Sequence, residues 1–363
     1  MKLENYEVHL PSYSIGNTIY DKIGPVCESY GKTVLVIGGK LALEAVDKTK
    51  LTIIGKELFG EDCTYKTVEA LRKLPAYHEA DMVFGVGGGK ALDTVKCLCI
   101  TDDKPVFTFP TIASNCAATT SVSIMYNDDG TFLKPHFFIR PAMHAFIDTE
   151  IIAKAPERYM WAGIGDTYAK YYEAMISSRD ERLEHFTAVG VAVSEMCRKP
   201  LLEYGVKAFQ DHQKGLCTYD VEQVVLAIVV TTGIASIFLT KDCTPDYNSG
   251  LAHAVFYALT SYPVIEKRHL HGEVVGFGVL LALLVDRQEE EFEKIYKLNR
   301  EIGLPVSLKE IEITEDEWEE SMNRIPEMSD VAHYPYKVTK EMLRDAMDRL
   351  KERAGKDAYD TEK

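Results

Sequence analysis

An α/β domain followed by an all-α domain is the fold the sequence predicts, on three observations. Over roughly the first 150 residues, short continuous apolar runs ending in Gly or Pro alternate with amphipathic segments. From about residue 155, long helical patterns take over and strand patterns nearly vanish. Between one apolar run and the next helical pattern stands "GVGGGK" (85–90), which packs four glycines into five residues and ends on a lysine.

The strands come first. "TVLVIGG" (33–39), "DMVFGVGG" (81–88) and "PVFTFPT" (105–111) lack polar alternation. Such runs belong to strands covered on both faces, as in a parallel sheet. Between the second and third lies "KALDTVKCLCI", with Leu92, Val95 and Cys99 on one stripe and Asp93 and Lys96 off it. That is a helix, and it completes a βαβ unit. "SVSIMYNDDGTFLKPHFF" reads as a hairpin turning at Asn-Asp-Asp-Gly. The helical segments are "PERYMWAGIGDTYAKYYEAMIS", "DVEQVVLAIVVTTGIASIFL", "GLAHAVFYALTSY" and "HGEVVGFGVLLALLVDR". A boundary near 150–158 gives an α/β domain over 1–155 and a helical domain over 156–363. The charged end "LKERAGKDAYDTEK" is expected to fray.

Composition narrows the function. Of 363 residues, 46% are hydrophobic and 27% charged, enough for a packed core, and the net charge is −15. An acidic surface repels phosphate backbones and anionic lipid, so neither nucleic acid nor a membrane is an expected partner. "VVLAIVVTTGIASIFL" (224–239) holds two threonines, a serine and a glycine, and falls short of the ~20 residues of a span. It reads as a buried helix. The N-terminal "MKLENYEVHLPSYS" has no apolar core of the kind a secretory signal needs. The eight cysteines contain no CxxC, and Cys97 and Cys99 sit two apart on a helix, pointing away from each other. Free thiols in a reducing cytoplasm are the expectation.

The glycine turn fits neither familiar phosphate motif. GxGxxG fails because Gly85-x-Gly87-x-x ends on Lys90. A P-loop fails because Lys90 is followed by Ala91 and position 84 is Phe. The physics survives. Strand, glycines and helix start in that order present bare N–H groups at a helix N-terminus, which attracts anions. Without Cβ atoms a pyrophosphate can approach closely. Lys90 and Asp93 would then lie near the ligand. The plainer alternative is a tight turn with a surface lysine, for which one or two glycines suffice.

Asp166, His253 and His271 lie in three separate helical segments, embedded in "GIGDTYA", "GLAHAVF" and "LHGEVVGFG". Singly each has an ordinary explanation. Asp166 could pair with Lys170 four residues on, or cap a helix after Gly165. Either histidine could be a satisfied core residue, and His269 competes with His271. Together, one carboxylate and two imidazoles leave coordination positions open, the pattern of a catalytic zinc site.

The motifs "GVGGGKALDTVK", "FPTIASNCAATTSVSIMYNDDG", "AGIGDTYAKYYEA", "SGLAHAVFYALT" and "LHGEVVGFGVLLAL" run in order from about 30 to 300. In them the chain resembles the group III, iron-containing alcohol dehydrogenase superfamily, in its glycerol dehydrogenase-like branch. The resemblance implies a dehydroquinate synthase-like fold: an N-terminal dinucleotide-binding α/β domain, an all-α C-terminal domain, and an active site between them. It implies that Gly87, Gly88, Gly89, Lys90 and Asp93 line the pyrophosphate of NAD or NADP. Thr111, Ser114, Ser121 and Tyr126 match the segment that wraps the nucleotide. Asp166, His253 and His271 match the ligands of a divalent metal, zinc in preference to iron, and the HGE context favours His271 over His269. The implied substrate is a small alcohol or its carbonyl compound, and the implied assembly a homo-oligomer, a dimer or an octamer.

Two departures from the family pattern stand out. Glycerol dehydrogenases carry "TIASTDAP" where this chain has "TIASNCAA". The aspartate that contacts a polyol is therefore Cys116, in the substrate pocket, as in the hydroxycarboxylate dehydrogenase branch that reduces 2-oxo acids. The strand end "VIGGK" has Gly39 where NAD-preferring relatives often place an acidic residue. Such a residue binds the ribose diol and repels a 2′-phosphate, so Gly39 admits NADPH. Two rival readings keep the fold: a dehydroquinate synthase-like cyclase, which needs additional basic residues in the second domain, and a non-catalytic nucleotide-binding protein.

Overall fold

The computed structural model describes residues 7–17 and 19–361, with side chains to 356. The start of the N-terminal stretch, residues 1–6, lies outside them, as does the end of the charged C-terminal segment. The backbone of that segment is helical as far as Thr361 within Lys340–Thr361. The chain divides into two compact units.

The first unit is built on eight strands: β1 (Tyr13–Ile15), β2 (Thr33–Gly38), β3 (Thr52–Leu58), β4 (Met82–Gly87), β5 (Val106–Pro110), β6 (Val122–Tyr126), β7 (Phe132–Phe137) and β8 (His144–Ile147). Six form one sheet in the order β1-β8-β5-β4-β2-β3, all pairs parallel. The three apolar runs are its central strands β2, β4 and β5. Their continuity follows from burial on both faces: Leu35, Ile37 and Val83 enter one core, Val34, Val36, Met82 and Phe84 the other. β6 and β7 form the expected antiparallel hairpin, turning at Gly130 with φ +84°.

The topology positions a ligand site. From β2 the chain moves outward to β3, then returns to the other side of β2 for β4. The direction of winding reverses there, and open parallel sheets bind ligands at the carboxyl ends of the strands flanking such a reversal. Those ends carry Gly38-Gly39 and Gly87-Gly88-Gly89.

The helix after β4, Gly89–Thr101, corrects the expectation of a single apolar stripe. Every residue from Ala91 to Cys99 is buried, Asp93 and Lys96 included. The two polar residues pair at 3.1 Å. Lys96 Nζ also donates to Val122 O at 2.6 Å and Thr120 Oγ1 at 3.1 Å. The hairpin thus covers the helix face that a stripe analysis leaves to solvent. No disulfide links any of the eight cysteines.

The second unit is helical, with Glu157–Ser177, His185–His212, Leu251–Leu259 and His271–Val285 among its elements. The first unit comprises the chain up to Pro156 together with a return over His212–Ile237. The cause of the return is the apolar helix Tyr219–Leu239, which is long and apolar enough to cross a membrane. Two thirds (67%) of its most apolar 18-residue window is buried in protein. Val221, Val224 and Ala227 to Val230 are among its buried side chains, and Thr119 Oγ1 donates to Val229 O. At Gly233 a Cβ would lie 2.0 Å from Thr119 Oγ1, so only glycine admits this contact.

Candidate active site

Glycine sets the geometry of the metal candidates. The Asp166 helix (Glu157–Ser177) and the His271 helix (His271–Val285) touch backbone to backbone. A Cβ on Gly165 would lie 2.2 Å from Gly272 O, and one on Gly272 would lie 2.0 Å from Ala162 O. The contact brings together the residues beside those glycines, Asp166 and His271. A second close approach, Gly278 against Ala252 O at 2.6 Å from its would-be Cβ, seats the His253 helix (Leu251–Leu259) on the same partner.

Three donor atoms converge as a result. Asp166 Oδ1 is 3.4 Å from His271 Nε2 and 3.8 Å from His253 Nε2. One ligand atom from each residue lies within 4.8 Å of the others. Asp166 and His253 are nearly enclosed, while 42% of the His271 side chain is exposed. Burial opposes the charge of Asp166, but its bond to His271 and the charges of His271 and His253 outweigh that and hold the carboxyl below its usual range. His253 moves the other way: burial disfavours its cation, but Glu173 and Asp166 raise its pKa. A borderline divalent ion is suited by one carboxylate and two imidazoles at this spacing, with one side open. The residues therefore fit the group.

The ordinary explanations for Asp166 fail on position. Asp166 is mid-helix and caps nothing. Lys170 is buried, with Nζ donating to the carbonyl and side-chain oxygens of Asn248. His269 is tied at Nδ1 to Glu273 (2.7 Å) and faces Glu312 at 3.4 Å, outside the triad.

The glycine turn of the first unit is equally specific. Gly87 has φ +142°, and the next helix begins at Gly89 with no side-chain cap. The loop after β5 folds over it: Thr111 N donates to Gly87 O at 3.1 Å. Cβ atoms on Gly88 and Gly89 would meet Ile112 Cδ1 at 2.6 Å and Asn115 Nδ2 at 2.5 Å. Lys90 pairs with Asp62 and lies 4.8 Å above the Tyr126 ring. Gly87, Gly88, Gly89, Lys90, Thr111 and Tyr126 are thus brought together, with Ser114 and Cys116 in the same loop. Ser121 lies at the base of the hairpin, its carbonyl accepting from Phe138 N at 2.8 Å. Asp93 departs from the expectation. Its carboxylate turns inward to Lys96 and to the N–H of Ile124 at 3.1 Å, so it braces the hairpin. At Gly39 the nearest atom to a would-be Cβ is Phe59 Cε1 at 4.0 Å, so packing does not require glycine there.

Sequence reasoning missed Asn115 and, more consequentially, Glu173, whose carboxylate is 2.7 Å from His253 Nδ1. Its signal was present. Glu173 follows Asp166 by seven residues, two helical turns on the same face, and is a lone acid among buried residues.

A switch-point glycine turn in one unit and a three-donor centre in the other are the parts of a metal-dependent dehydrogenase. Comparison with known proteins agrees. Residues 11–146 match the model of iron-containing alcohol dehydrogenases. The chain is 36% identical to glycerol dehydrogenase of Thermotoga maritima over 71% of this chain and 70% of that one. It is 33% identical to hydroxycarboxylate dehydrogenase A of Escherichia coli over 70% of this chain and 69% of that one. A crystal structure of a probable glycerol dehydrogenase from Sinorhizobium meliloti superposes with a TM-score of 0.81 at 27% identity, covering 95% of this chain and 98% of that one. The chain belongs to the iron-containing alcohol dehydrogenase family and is an oxidoreductase acting on CH–OH groups.

Proposed function

We propose that this chain is a metal-dependent, NAD(P)-linked dehydrogenase that interconverts a small polyol, alcohol or 2-hydroxy acid with its carbonyl compound. The observation that carries the reading is the convergence of Asp166 Oδ1 with the Nε2 atoms of His253 and His271. These three residues would hold the ion, and two imidazoles with one carboxylate suit zinc. Bound there, the ion supplies Lewis acidity toward a substrate oxygen. Asp166 contributes a full negative charge to a nearly enclosed site. His271, the open member, leaves the donor set accessible to a small molecule. The Gly87–Gly89 turn and Lys90 receive the pyrophosphate. A nicotinamide nucleotide held there would supply the hydride chemistry, which belongs to the cofactor. His269 is tied at Nδ1 to Glu273, and the proton is assigned to exchange with water or a ribose hydroxyl.

Within this reaction class the alternative reading is a 2-oxo acid as substrate and NADPH as reductant, and two departures in the sequence motivate it. Cys116 stands where a polyol-binding aspartate is expected, which removes a carboxylate that would repel an anionic substrate. Position 39 is open yet lacks an acid. The test is the initial rate of NADH and NADPH consumption by zinc-loaded protein with dihydroxyacetone or 2-oxobutyrate, against chelated protein. Turnover of 2-oxobutyrate with NADPH supports the narrower reading, and turnover of dihydroxyacetone alone sinks it. Net consumption of reduced nucleotide also separates a dehydrogenase from a cyclase, which returns its cofactor unchanged. Asp166→Ala and His271→Ala are each expected to abolish turnover; an unimpaired variant would remove that residue from the donor set.

A further inference from the structure

Glu173 joins two structural tasks in one side chain. It is fully buried, with 0% of its side chain exposed. Its Oε1 accepts from the backbone N–H of Gly250 at 2.9 Å and of His253 at 3.0 Å. Its Oε2 lies 2.7 Å from His253 Nδ1. Gly250 is the N-cap of the Leu251–Leu259 helix and has no side chain with which to cap it. Glu173 supplies that cap from another helix, satisfying two N–H groups that a helix start leaves unbonded.

The same contact determines which nitrogen of His253 carries hydrogen. A carboxylate accepts and does not donate. Nδ1 must therefore carry the hydrogen, which in the neutral ring leaves the lone pair on Nε2. Nε2 is the nitrogen directed at Asp166 Oδ1, 3.8 Å away. Carboxylate partners of this kind orient metal-bound histidines and raise their basicity.

We propose that Glu173 is a positioning residue for the metal centre. It holds His253 in the Nδ1–H tautomer and anchors the helix start that carries it, so that the Nε2 lone pair is presented to the ion. The inference rests on the metal-centre reading above.

Glu173→Gln separates this role from mere packing. One end of a glutamine amide is an NH2 group. Turned toward Nδ1, it drives the imidazole hydrogen onto Nε2 and removes the ligating lone pair. Turned toward Gly250 and His253, it sets donor against donor. Zinc affinity is measured on the metal-stripped enzyme by competition with a chromophoric chelator, beside the unfolding midpoint of the same metal-free protein. Zinc affinity is expected to fall about 10- to 100-fold. Ser249→Ala serves as the control, because it breaks the 2.6 Å bond to Asp330 in the same loop without touching His253. That control is expected to lose stability and keep its zinc affinity. Wild-type zinc affinity in Glu173→Gln overturns the proposal, as do equal losses of affinity in the two variants. A wild-type enzyme that binds no zinc overturns the metal-centre reading itself. Imidazole 15N shifts of the metal-free wild-type protein, assigned with His253→Ala, read the tautomer of the neutral ring directly, and a neutral ring with hydrogen on Nε2 and none on Nδ1 refutes the proposal even if Glu173→Gln does not fold.

Discussion

Gly272→Ala is the sharpest test of how the donors are brought together. The new Cβ would stand 2.0 Å from Ala162 O, 2.8 Å from Ala162 C and 3.0 Å from Asp166 Cβ. Two of these neighbours are backbone atoms, so no side-chain rotation relieves the overlap. Ordinary contact needs about 3.5 Å, so the helices must separate by about 1.5 Å. Overpacking of this kind costs about 1–3 kcal/mol. Metal sites hold their ligand distances to within about 0.2 Å, so a shift several times larger spoils the donor set. Two measurements follow: urea unfolding of the metal-free protein, and zinc titration. Gly272→Ala is expected to lose about 1–3 kcal/mol and at least about tenfold in zinc affinity. Gly355→Ala is the reference, since among the described residues nothing lies within 4 Å of its would-be Cβ in the Lys340–Thr361 helix. Alanine there should stabilise by about 0.5–1 kcal/mol through helix propensity and leave zinc binding alone. A Gly272→Ala enzyme with wild-type stability and zinc affinity would refute the backbone-contact account of the site.

Two other outcomes are expected. Gly39→Asp introduces a carboxylate into open space at the carboxyl end of β2, and kcat/KM should shift from NADPH toward NADH; an unchanged ratio would mean position 39 does not face the ribose. Glu291 is bonded to Arg198 (2.8 Å), Tyr172 (2.7 Å) and Lys294 (2.7 Å). Burial pushes its carboxyl up, but Lys294, Tyr172 and Arg198 together bring it down to about 2, from an ordinary value of 4.5. A carboxylate depressed in the folded state stabilises above its unfolded pKa and loses that stabilisation as pH falls through the folded one. Glu291→Gln should therefore cost on the order of 2 kcal/mol near pH 7, allowing for the 21% of the side chain that water reaches. The gap should narrow between pH 4.5 and 2 in unfolding curves of the two proteins. A gap constant over that range would mean the cluster stabilises by packing alone.

The central strands were legible in the sequence because burial on both faces leaves an unbroken apolar run. The outer strands were not, for identifiable reasons. β3 is an edge strand with partly exposed residues and a lysine and glutamate in its "TIIGKEL". β8 opens on His144, a buried polar residue in a run of four. Its two ring nitrogens are bonded to Ser12 at 2.7 Å and Ser14 at 2.9 Å, and burial lowers its pKa to about 4, so it sits there neutral. Hydropathy does not register a polar group whose partners come from a distant strand. Asp93 and Lys96 hid for the same reason, as two opposite charges that cancel beneath the hairpin.

The donor set lay in the sequence in a different form. No spacing links Asp166, His253 and His271, because each comes from its own helix, and ligand periodicity operates only within one. What the sequence does carry is the condition for those helices to meet. Gly165 precedes Asp166, Gly272 follows His271, and Ala252, whose carbonyl receives Gly278, precedes His253. In each pair the candidate ligand adjoins the point where two backbones touch, so the candidate donors sit where close packing leaves the backbones least room. The small residues and the ligands are therefore one feature. A triad found without such glycines beside it would have to gain its precision from side chains alone, where rotamer freedom works against a tolerance of about 0.2 Å.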